Sequence, residues 1–163
     1  MDLTRLLEDL VSIWKDTRKD HQPFVELTES ADEERVILVG REGPISQVIR
    51  NLVENARSFS PPNGKVTITA YREDGVARIL VEDEGPGVPP DKLDTIFDRF
   101  YSDRPKGASF GNNSGLGLSI VRQIVESHRG EVFAENRMRD GEIIGARFVV
   151  RLPLARRNVR NTP

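Results

Sequence analysis

The segment DEGPGV at residues 83–88 and the segment GLGL at residues 115–118 decide the fold. The first follows residues 77–82, where apolar and polar side chains alternate as in a half-buried strand. The second opens a run over residues 116–127 whose apolar side chains recur with helical spacing. A strand that ends in a glycine turn, followed later by a helix that begins at glycines, indicates an α/β domain.

The same periodicities extend the prediction in both directions. Apolar stripes predict helices over residues 2–19 and 44–59, and the turn at 73–75 predicts a hairpin between the strands on either side. The predicted strands are 24–28, 35–39, 66–71, 77–82, 131–135 and 143–152, with a short helix at 89–97 and a polar loop at 102–114. This order predicts a two-layer α/β sandwich, in which a mixed, largely antiparallel sheet carries its helices on one face.

Length and composition indicate one soluble domain and exclude several kinds of partner. The 163 residues carry a net charge of −2, so we expect no nucleic-acid binding. The chain has no cysteine, which excludes disulfides and thiolate zinc sites. No apolar run reaches the ~20 residues that a membrane span needs, so we expect no direct membrane contact from this segment.

Two asparagines lie on the predicted helix over residues 44–59. Asn51 and Asn55 are four residues apart, which places both side chains on one face of the helix. An asparagine carbonyl oxygen is a hard, neutral ligand, so it can join the shell of a Mg²⁺ ion without repelling the phosphates that the ion also binds. The alternative is a polar helix face or a capping pair, and the two residues alone do not decide between these interpretations.

Asp83 follows a predicted strand and precedes two glycines. A buried carboxylate can accept a hydrogen bond from the exocyclic amine of adenine, which distinguishes adenine from guanine. Gly85 and Gly87 allow unusual backbone angles and let the chain approach a flat ring closely. The alternative interpretation of this segment is a polar turn after a strand.

Gly115 and Gly117 open the third helix. Free N–H groups at a helix start form an anion site when no side chain blocks them; the alternative is a flexible hinge. Arg99, Arg104 and Lys106 precede this site and can reach phosphate oxygens, although each alone is also consistent with a surface charge. Taken together in this order, the three segments describe a pocket for ATP and a magnesium ion.

Residues 47–152 resemble the catalytic ATP-binding domain of two-component sensor histidine kinases, which has the Bergerat fold. The resemblance rests on motifs in the family's order: the N box at 51–56 (NLVENA), the first glycine box at 83–87 (DEGPG), the F box at 96–101 (IFDRFY), the second glycine box at 114–118 (SGLGL) and the closing strand from 145–148 (GARF). It implies that the domain binds ATP with Mg²⁺ and transfers the γ-phosphoryl group to a histidine.

The resemblance also assigns site residues. It implies that Asn51 and Asn55 are the catalytic asparagines, with Asn55 as the Mg²⁺ ligand, that Asp83 reads adenine, and that residues 102–114 form the ATP lid. The other nucleotide-binding positions that it implies are Ser58, Phe59, Gly85, Gly87, Val88, Phe100, Tyr101, Arg104, Lys106, Ser114, Gly115, Leu116, Gly117 and Leu118.

The chain departs from the family pattern at the end of this helix. Ser58 stands where the family often has a lysine or arginine, so Arg57 or a cation of the lid is the candidate substitute for a phosphate contact. Phe59 stands where a tyrosine is common, which keeps a ring near the base but loses a hydroxyl.

By the same resemblance, residues 1–20 are the end of a helical stalk or linker, residues 21–153 are the ATP-binding catalytic domain and residues 154–163 are a basic C-terminal tail. The implied partners are the dimerisation and histidine-phosphotransfer domain of the same kinase and, indirectly, a response regulator. The implied location is the cytoplasm, within a parent protein of the inner membrane. We expect the apolar stripe of the first helix to be exposed and to be the obvious association surface.

The residue at position 51 bears on the reaction. ATP-hydrolysing relatives place a glutamate general base four residues before the magnesium asparagine, whereas this chain has Asn51, and an amide cannot deprotonate water. Transfer to a histidine of another domain is therefore the predicted reaction, because His21 and His128 lack an acceptor motif and we expect structural or solvent roles for both. Two alternatives stay open: a degenerate ATP-sensing interaction module, and a serine kinase that regulates a sigma factor or another ATPase of this fold.

Overall fold

The computed structural model describes residues 1–28, 35–98 and 117–156. Five strands form one sheet in the order β1-β2-β3-β5-β4. They are β1 (Phe24–Leu27), β2 (Lys65–Glu73), β3 (Val76–Glu82), β4 (Glu131–Arg139) and β5 (Glu142–Pro153). Strand β1 runs parallel to β2, and the other neighbouring strands are antiparallel. The predicted mixed, largely antiparallel sheet is confirmed.

Three α-helices pack against the sheet: α1 (Leu3–Thr17), α2 (Glu42–Phe59) and α3 (Gly117–Ser127). Their apolar stripes share one core with the inward side chains of the strands. Each fully buried aliphatic side chain stabilises such a core by roughly 1.5–3 kcal/mol. This arrangement is the predicted two-layer α/β sandwich. Within the described ranges, no helix combines the length and the apolar composition needed to cross a lipid bilayer.

Residues 35–39 do not form the predicted strand. Only isolated bridges occur there, from Ile37 to Asp2 and from Leu38 to Leu154. The segment lies between the start of α1 and the end of β5, and its backbone hydrogen bonds are divided between the two. Its backbone groups are therefore satisfied without a continuous ladder to either neighbour.

The predicted helix at residues 89–97 is also wrong. The chain forms two short 3₁₀ turns instead, Pro90–Lys92 and Thr95–Phe97. The hydrogen bonds here join residues three apart, from the Lys92 N–H to the Pro89 carbonyl oxygen and from the Asp98 N–H to the Thr95 carbonyl oxygen, which is the 3₁₀ pattern. The buried side chain of Phe97 nevertheless holds the second turn against the core.

Helix α1 belongs to the core. Five apolar side chains of its stripe are at most 7% exposed, namely Leu3, Leu6, Leu7, Leu10 and Val11, so the expectation of an exposed apolar stripe is wrong. The helix is tied down at its start, where Asp2 accepts a hydrogen bond from the Arg5 N–H at 3.1 Å and pairs with Arg35 at 2.7 Å. The proposed division of the chain at residue 20 stays a prediction.

Candidate functional site

Asp83 lies directly after β3, and the residue is only 2% exposed. Its Oδ1 accepts hydrogen bonds from the Gly85 N–H at 2.9 Å and from the Ala146 N–H at 3.0 Å. The Asp83 N–H in turn donates to the Ala146 carbonyl oxygen at 3.0 Å. The pairing of β3 with β5 therefore fixes the carboxylate, and both side-chain bonds that it makes to the described part of the chain are to Oδ1.

Burial raises the pKa of the Asp83 carboxyl above its ordinary value of 3.8. The N–H donors of Ala146 and Gly85 and the charge of Arg137 oppose that rise. Buried carboxyl groups with a shifted pKa are concentrated at functional sites. A ligand that donates a hydrogen bond to Asp83 would replace hydration that folding has removed.

The segment 83–88, which we call the 83–88 loop, crosses β5 and ends on β4. Gly87 has a φ of +79°, in the left-handed region that favours glycine. A Cβ at Gly87 would overlap the side chain of Ile143 on β5 and lie 2.7 Å from Oδ1 of Asn136 on β4. The loop therefore lies directly on the two strands, and its path requires glycine at this position.

Helix α2 carries Asn51, Asn55 and Phe59 on one face, because residues four apart lie about one turn apart. At one end of this row, the Asn51 side-chain amide donates to the Gly117 carbonyl oxygen at 3.2 Å. At the other end, Gly85 lies against the backbone of Phe59. The row thus runs from the first turn of α3 to the 83–88 loop, with Asn55 between them.

Asn55 is the residue of this row that fits a magnesium ion. Its side chain is half-buried, and its amide oxygen is the hard, neutral ligand that such an ion accepts. In the described part of the chain, no group of three or more His, Cys, Asp or Glu residues could hold a metal. Because Mg²⁺ usually combines one or two protein ligands with substrate phosphates, a single asparagine suits an ion that arrives with a nucleotide.

The segment from Asp94 to Asp98 is fixed against α3. The Phe97 ring packs edge-on against Phe148, with 6.0 Å between the ring centroids. The Arg122 guanidinium of α3 lies 4.8 Å from the centroid of the Phe97 ring and pairs with Asp94 at 3.0 Å. The described part of the F box is thereby anchored to the helix that begins at Gly117.

The structure brings a subset of the predicted site residues together where β3 ends and α3 begins. These are Asn51, Asn55, Phe59, Asp83, Gly85, Gly87, Val88 and Gly117. Leu118 is half-buried and packs against the core, whereas Ser58 is exposed and its hydroxyl donates to the Asn55 carbonyl oxygen at 2.7 Å. Outside the described residues lie the predicted lid 102–114 with Arg99, Phe100, Tyr101, Arg104, Lys106, Ser114, Gly115 and Leu116.

Arg57, a candidate substitute for the basic residue that is missing at position 58, lies on a different face of α2 from Asn55. It is two residues from Asn55, which places it about 200° away around α2. Burial lowers the pKa of Arg57, and the nearby charge of Arg18 lowers it further. Arg57 therefore lies towards the end of α1 and not on the face that carries Asn55.

Neither histidine lies at this site. His128 ends α3, where its Nδ1 is 2.8 Å from the Ile124 carbonyl oxygen and its Nε2 accepts a hydrogen bond from the Arg41 N–H at 3.4 Å. Since α3 has 11 residues, about 16 Å of helix separates His128 from Gly117. His21 lies in the turn after α1, with its Nδ1 3.4 Å from Nδ2 of Asn63.

Two polar residues of β4 at the site were not predicted. Arg137 donates to the Asp83 carbonyl oxygen and pairs with Glu82 at 3.2 Å. Asn136 hydrogen-bonds both backbone groups of Val88. The predicted strand ends at residue 135, because the apolar alternation stops there, and no motif in the sequence marks either residue.

Comparison with known proteins agrees with this geometry. Residues 40–156 match the family described as histidine kinase-, DNA gyrase B-, and HSP90-like ATPase. The chain is 47% identical over 159 residues to the sensor protein ChvG of Rhizobium meliloti (strain 1021); the match covers 94% of this chain and 28% of ChvG.

Solved structures of histidine kinases have the same fold. Full-length ShkA in complex with AMPPNP superposes with a TM-score of 0.78 at 26% identity, covering 96% of this chain and 31% of that chain. Histidine kinase ThkA, in complex with the response regulator protein TrrA, gives a TM-score of 0.75 at 27% identity, covering 95% of this chain and 41% of that chain.

The chain therefore belongs to the histidine kinase-, DNA gyrase B- and HSP90-like ATPase family. Within that family it corresponds to the ATP-binding catalytic domain of sensor histidine kinases. The resemblance identified from the sequence motifs is confirmed, as is the fold class. The chain spans only 28% of the length of the ChvG relative.

Proposed function

We propose that this domain binds ATP with Mg²⁺ and transfers the γ-phosphoryl group to a histidine on a dimerisation domain outside this chain. The observation that carries the proposal is Asp83, a buried carboxylate fixed through Oδ1 at the end of β3. Family membership supports a nucleotide as its ligand. The similar ShkA structure is a complex with AMPPNP, which supports an adenine nucleotide in particular.

The adenine end of the proposed site is the 83–88 loop. The exocyclic amine of adenine is a hydrogen-bond donor. The Gly85 and Ala146 N–H groups both donate to Oδ1 of Asp83, so Oδ2 is the oxygen that would accept from the amine. Guanine carries a carbonyl oxygen at the equivalent position, which would meet the carboxylate acceptor to acceptor. A buried acceptor left unpaired is costly, so this arrangement favours adenine over guanine.

The phosphate end of the proposed site lies between α2 and α3. Asn55 would hold the magnesium ion, which when bound neutralises phosphate charge and orients the terminal phosphate. The first turn of α3 at Gly117 offers backbone N–H groups to anionic oxygens. Phosphoryl transfer needs positioning and charge stabilisation more than acid–base chemistry, and these are what the described residues can supply.

The reaction is transfer and not hydrolysis, because the position of the general base holds Asn51. Its side-chain amide donates to the Gly117 carbonyl oxygen at 3.2 Å, so it joins two helices and cannot take a proton from water. Glu54 is exposed and lies about 100° around α2 from Asn55. A histidine imidazole from another domain is the nucleophile that this site requires.

The partners follow from the same proposal. The acceptor lies on the dimerisation and histidine-phosphotransfer domain of the parent kinase, and a response regulator receives the phosphoryl group from that histidine. The similar ThkA structure is a complex with a response regulator protein, which supports this second partner. The relation to the sensor protein ChvG supports a cytoplasmic domain in a parent protein of the inner membrane.

Incubation with γ-labelled ATP and a separately prepared dimerisation domain tests the proposal. We expect acid-labile label on the added domain and none on this chain, and the same mixture with Asn55→Ala should give little label. Release of labelled phosphate without transfer would instead support an ATPase or a serine-directed enzyme of this fold.

A second candidate is a nucleotide-sensing interaction module without transfer. It is favoured by Ser58, which is exposed and gives α2 no positive charge at a position that is often basic in the family. Tight nucleotide binding with no label on the added domain would support this candidate over the kinase.

A further inference from the structure

We propose that Asn136 is a positioning residue for nucleotide recognition, which it serves by fixing the far end of the 83–88 loop. This inference rests on the proposed function, since it concerns the same adenine site. None of the family's sequence motifs includes Asn136, and it reaches the loop from a strand that is remote in sequence.

Asn136 binds the loop through both atoms of its side-chain amide. Its Oδ1 accepts a hydrogen bond from the Val88 N–H at 2.8 Å, and its Nδ2 donates to the Val88 carbonyl oxygen at 2.7 Å. The side chain thus pairs with one backbone residue as a neighbouring strand would. Of the side chains similar in size, aspartate offers only the acceptor and leucine offers neither group.

The two ends of the loop are held by adjacent residues of β4. At the first end, Arg137 donates to the Asp83 carbonyl oxygen and pairs with Glu82 at 3.2 Å. At the second end, Asn136 holds Val88. Between these points the chain crosses β5, so β4 sets the span of the whole loop.

The crossing is close, which makes the loop sensitive to its anchor. A Cβ on Gly145 of β5 would overlap the Asp83 carbonyl oxygen, and a Cβ on Gly87 would overlap Ile143 of β5. The loop therefore has no room to move towards the sheet, and release from Asn136 lets it move only away from the sheet. Such a movement would shift the backbone that lines the base while the Asp83 carboxylate stays bonded to Ala146.

The consequence is a specific effect on base recognition. Adenine binding needs both the Asp83 carboxylate and a correctly placed loop, whereas the phosphates contact other parts of the site. Loss of the Asn136 clamp should therefore reduce the preference for adenine over hypoxanthine, which carries an oxygen in place of the amine. A variant that only lowers the folded fraction would weaken both nucleotides equally and leave their ratio unchanged.

The test compares the dissociation constants of an ATP analogue and of the corresponding inosine analogue, by titration calorimetry with Mg²⁺. Asn136→Asp keeps the acceptor, loses the donor and sets a negative charge against the Val88 carbonyl oxygen. We expect ATP-analogue binding to weaken about tenfold, with a smaller loss for the inosine analogue. The matched control is Gln22→Glu, the same amide-to-carboxylate change at a residue whose Oε1 accepts a hydrogen bond from the Lys19 N–H in the turn after α1, and it should change neither constant.

Each outcome of the test is informative. A reduced adenine preference in Asn136→Asp supports the inference, and an unchanged ratio overturns it while leaving the proposed function intact. If the unaltered chain binds neither analogue, both the proposed function and the inference fall. Should Asn136→Asp not fold, exchange of the Val88 amide hydrogen in the unaltered chain decides: protection of that amide supports the clamp, and exchange at the rate of an exposed loop contradicts it.

Discussion

Asp83 and Ala146 are hydrogen-bonded in both directions, because the Asp83 N–H donates to the Ala146 carbonyl oxygen and the Ala146 N–H donates to Oδ1 of Asp83, each at 3.0 Å. The carboxylate thus takes the place of a strand carbonyl and extends the β3–β5 pairing beyond Glu82. One oxygen of Asp83 is used by the fold, and the other is the oxygen that the proposed function assigns to adenine.

The first prediction concerns Asp83→Asn. An amide oxygen can accept the same two N–H donors, and a neutral side chain avoids the cost of burying a charge, so we expect a stable fold with a free energy of unfolding at least equal to that of the unaltered chain. The amide nitrogen would meet the adenine amine donor to donor, so nucleotide affinity should fall by roughly tenfold or more. Urea denaturation and calorimetry measure the two effects separately. Unchanged affinity in a well-folded variant would remove Asp83 from the site.

The second prediction is the pH dependence that Asp83 confers. Its pKa is raised in the folded state, so between the ordinary value of 3.8 and the folded value the native protein binds the proton more strongly than the unfolded chain does. The contribution of Asp83 to the free energy of unfolding is therefore greatest below pH 3.8 and is lost as the pH rises through the pKa of the folded state. The stability difference between Asp83→Asn and the unaltered chain should grow with pH across this window, as measured by urea denaturation at several pH values. A stability difference that does not change with pH would contradict this prediction.

The third prediction separates Asn55 from Asn51. Asn55→Ala should alter stability by no more than about 0.5 kcal/mol, since the side chain is half-buried and alanine favours helix. The same change should abolish the dependence of nucleotide affinity on Mg²⁺. Asn51→Ala removes the hydrogen bond to Gly117 and should cost about 1 kcal/mol of stability while the Mg²⁺ dependence persists. If the magnesium effect followed Asn51 instead, the assignment of the ligand would be wrong.

The fourth prediction concerns the path of the 83–88 loop. Gly87 and Gly141 have nearly equal φ values, +79° and +81°, but a Cβ meets Ile143 and Asn136 at Gly87 and nothing within 4 Å at Gly141. Gly141→Ala should cost about 1 kcal/mol for the left-handed backbone alone. Gly87→Ala should cost roughly 2–4 kcal/mol, because overlap with packed neighbours adds to that strain. Equal thermal stability of the two variants would mean that the loop does not lie on the sheet as described.

The elements that the sequence predicts well are those whose pattern is local. Helix α2 has an unbroken apolar stripe and the β2–β3 hairpin has its turn residues, so both follow from periodicity. The segment at residues 35–39 has the composition of a strand, yet its partners Asp2 and Leu154 lie at opposite ends of the chain. The segment hydrogen-bonds to two elements that are distant from it in sequence, and no local pattern encodes those contacts.

The candidate site divides in the same way. Asn55 and Asp83 are predictable because their chemistry is carried by motifs of fixed spacing. The contribution of β4 is not predictable, because Asn136 and Arg137 act on residues about 50 positions earlier, through contacts that exist only once the sheet has formed. The burial that raises the pKa of Asp83 is likewise a property of the assembled core.

Calorimetric titration of the intact chain with a non-hydrolysable ATP analogue, with and without Mg²⁺, tests the central claim most directly. We predict binding to one site per chain that is tightened by Mg²⁺, and a large loss of affinity in Asp83→Asn under the same conditions. No binding by the intact, folded chain at either condition would contradict the claim that the 83–88 loop and α2 form a nucleotide site.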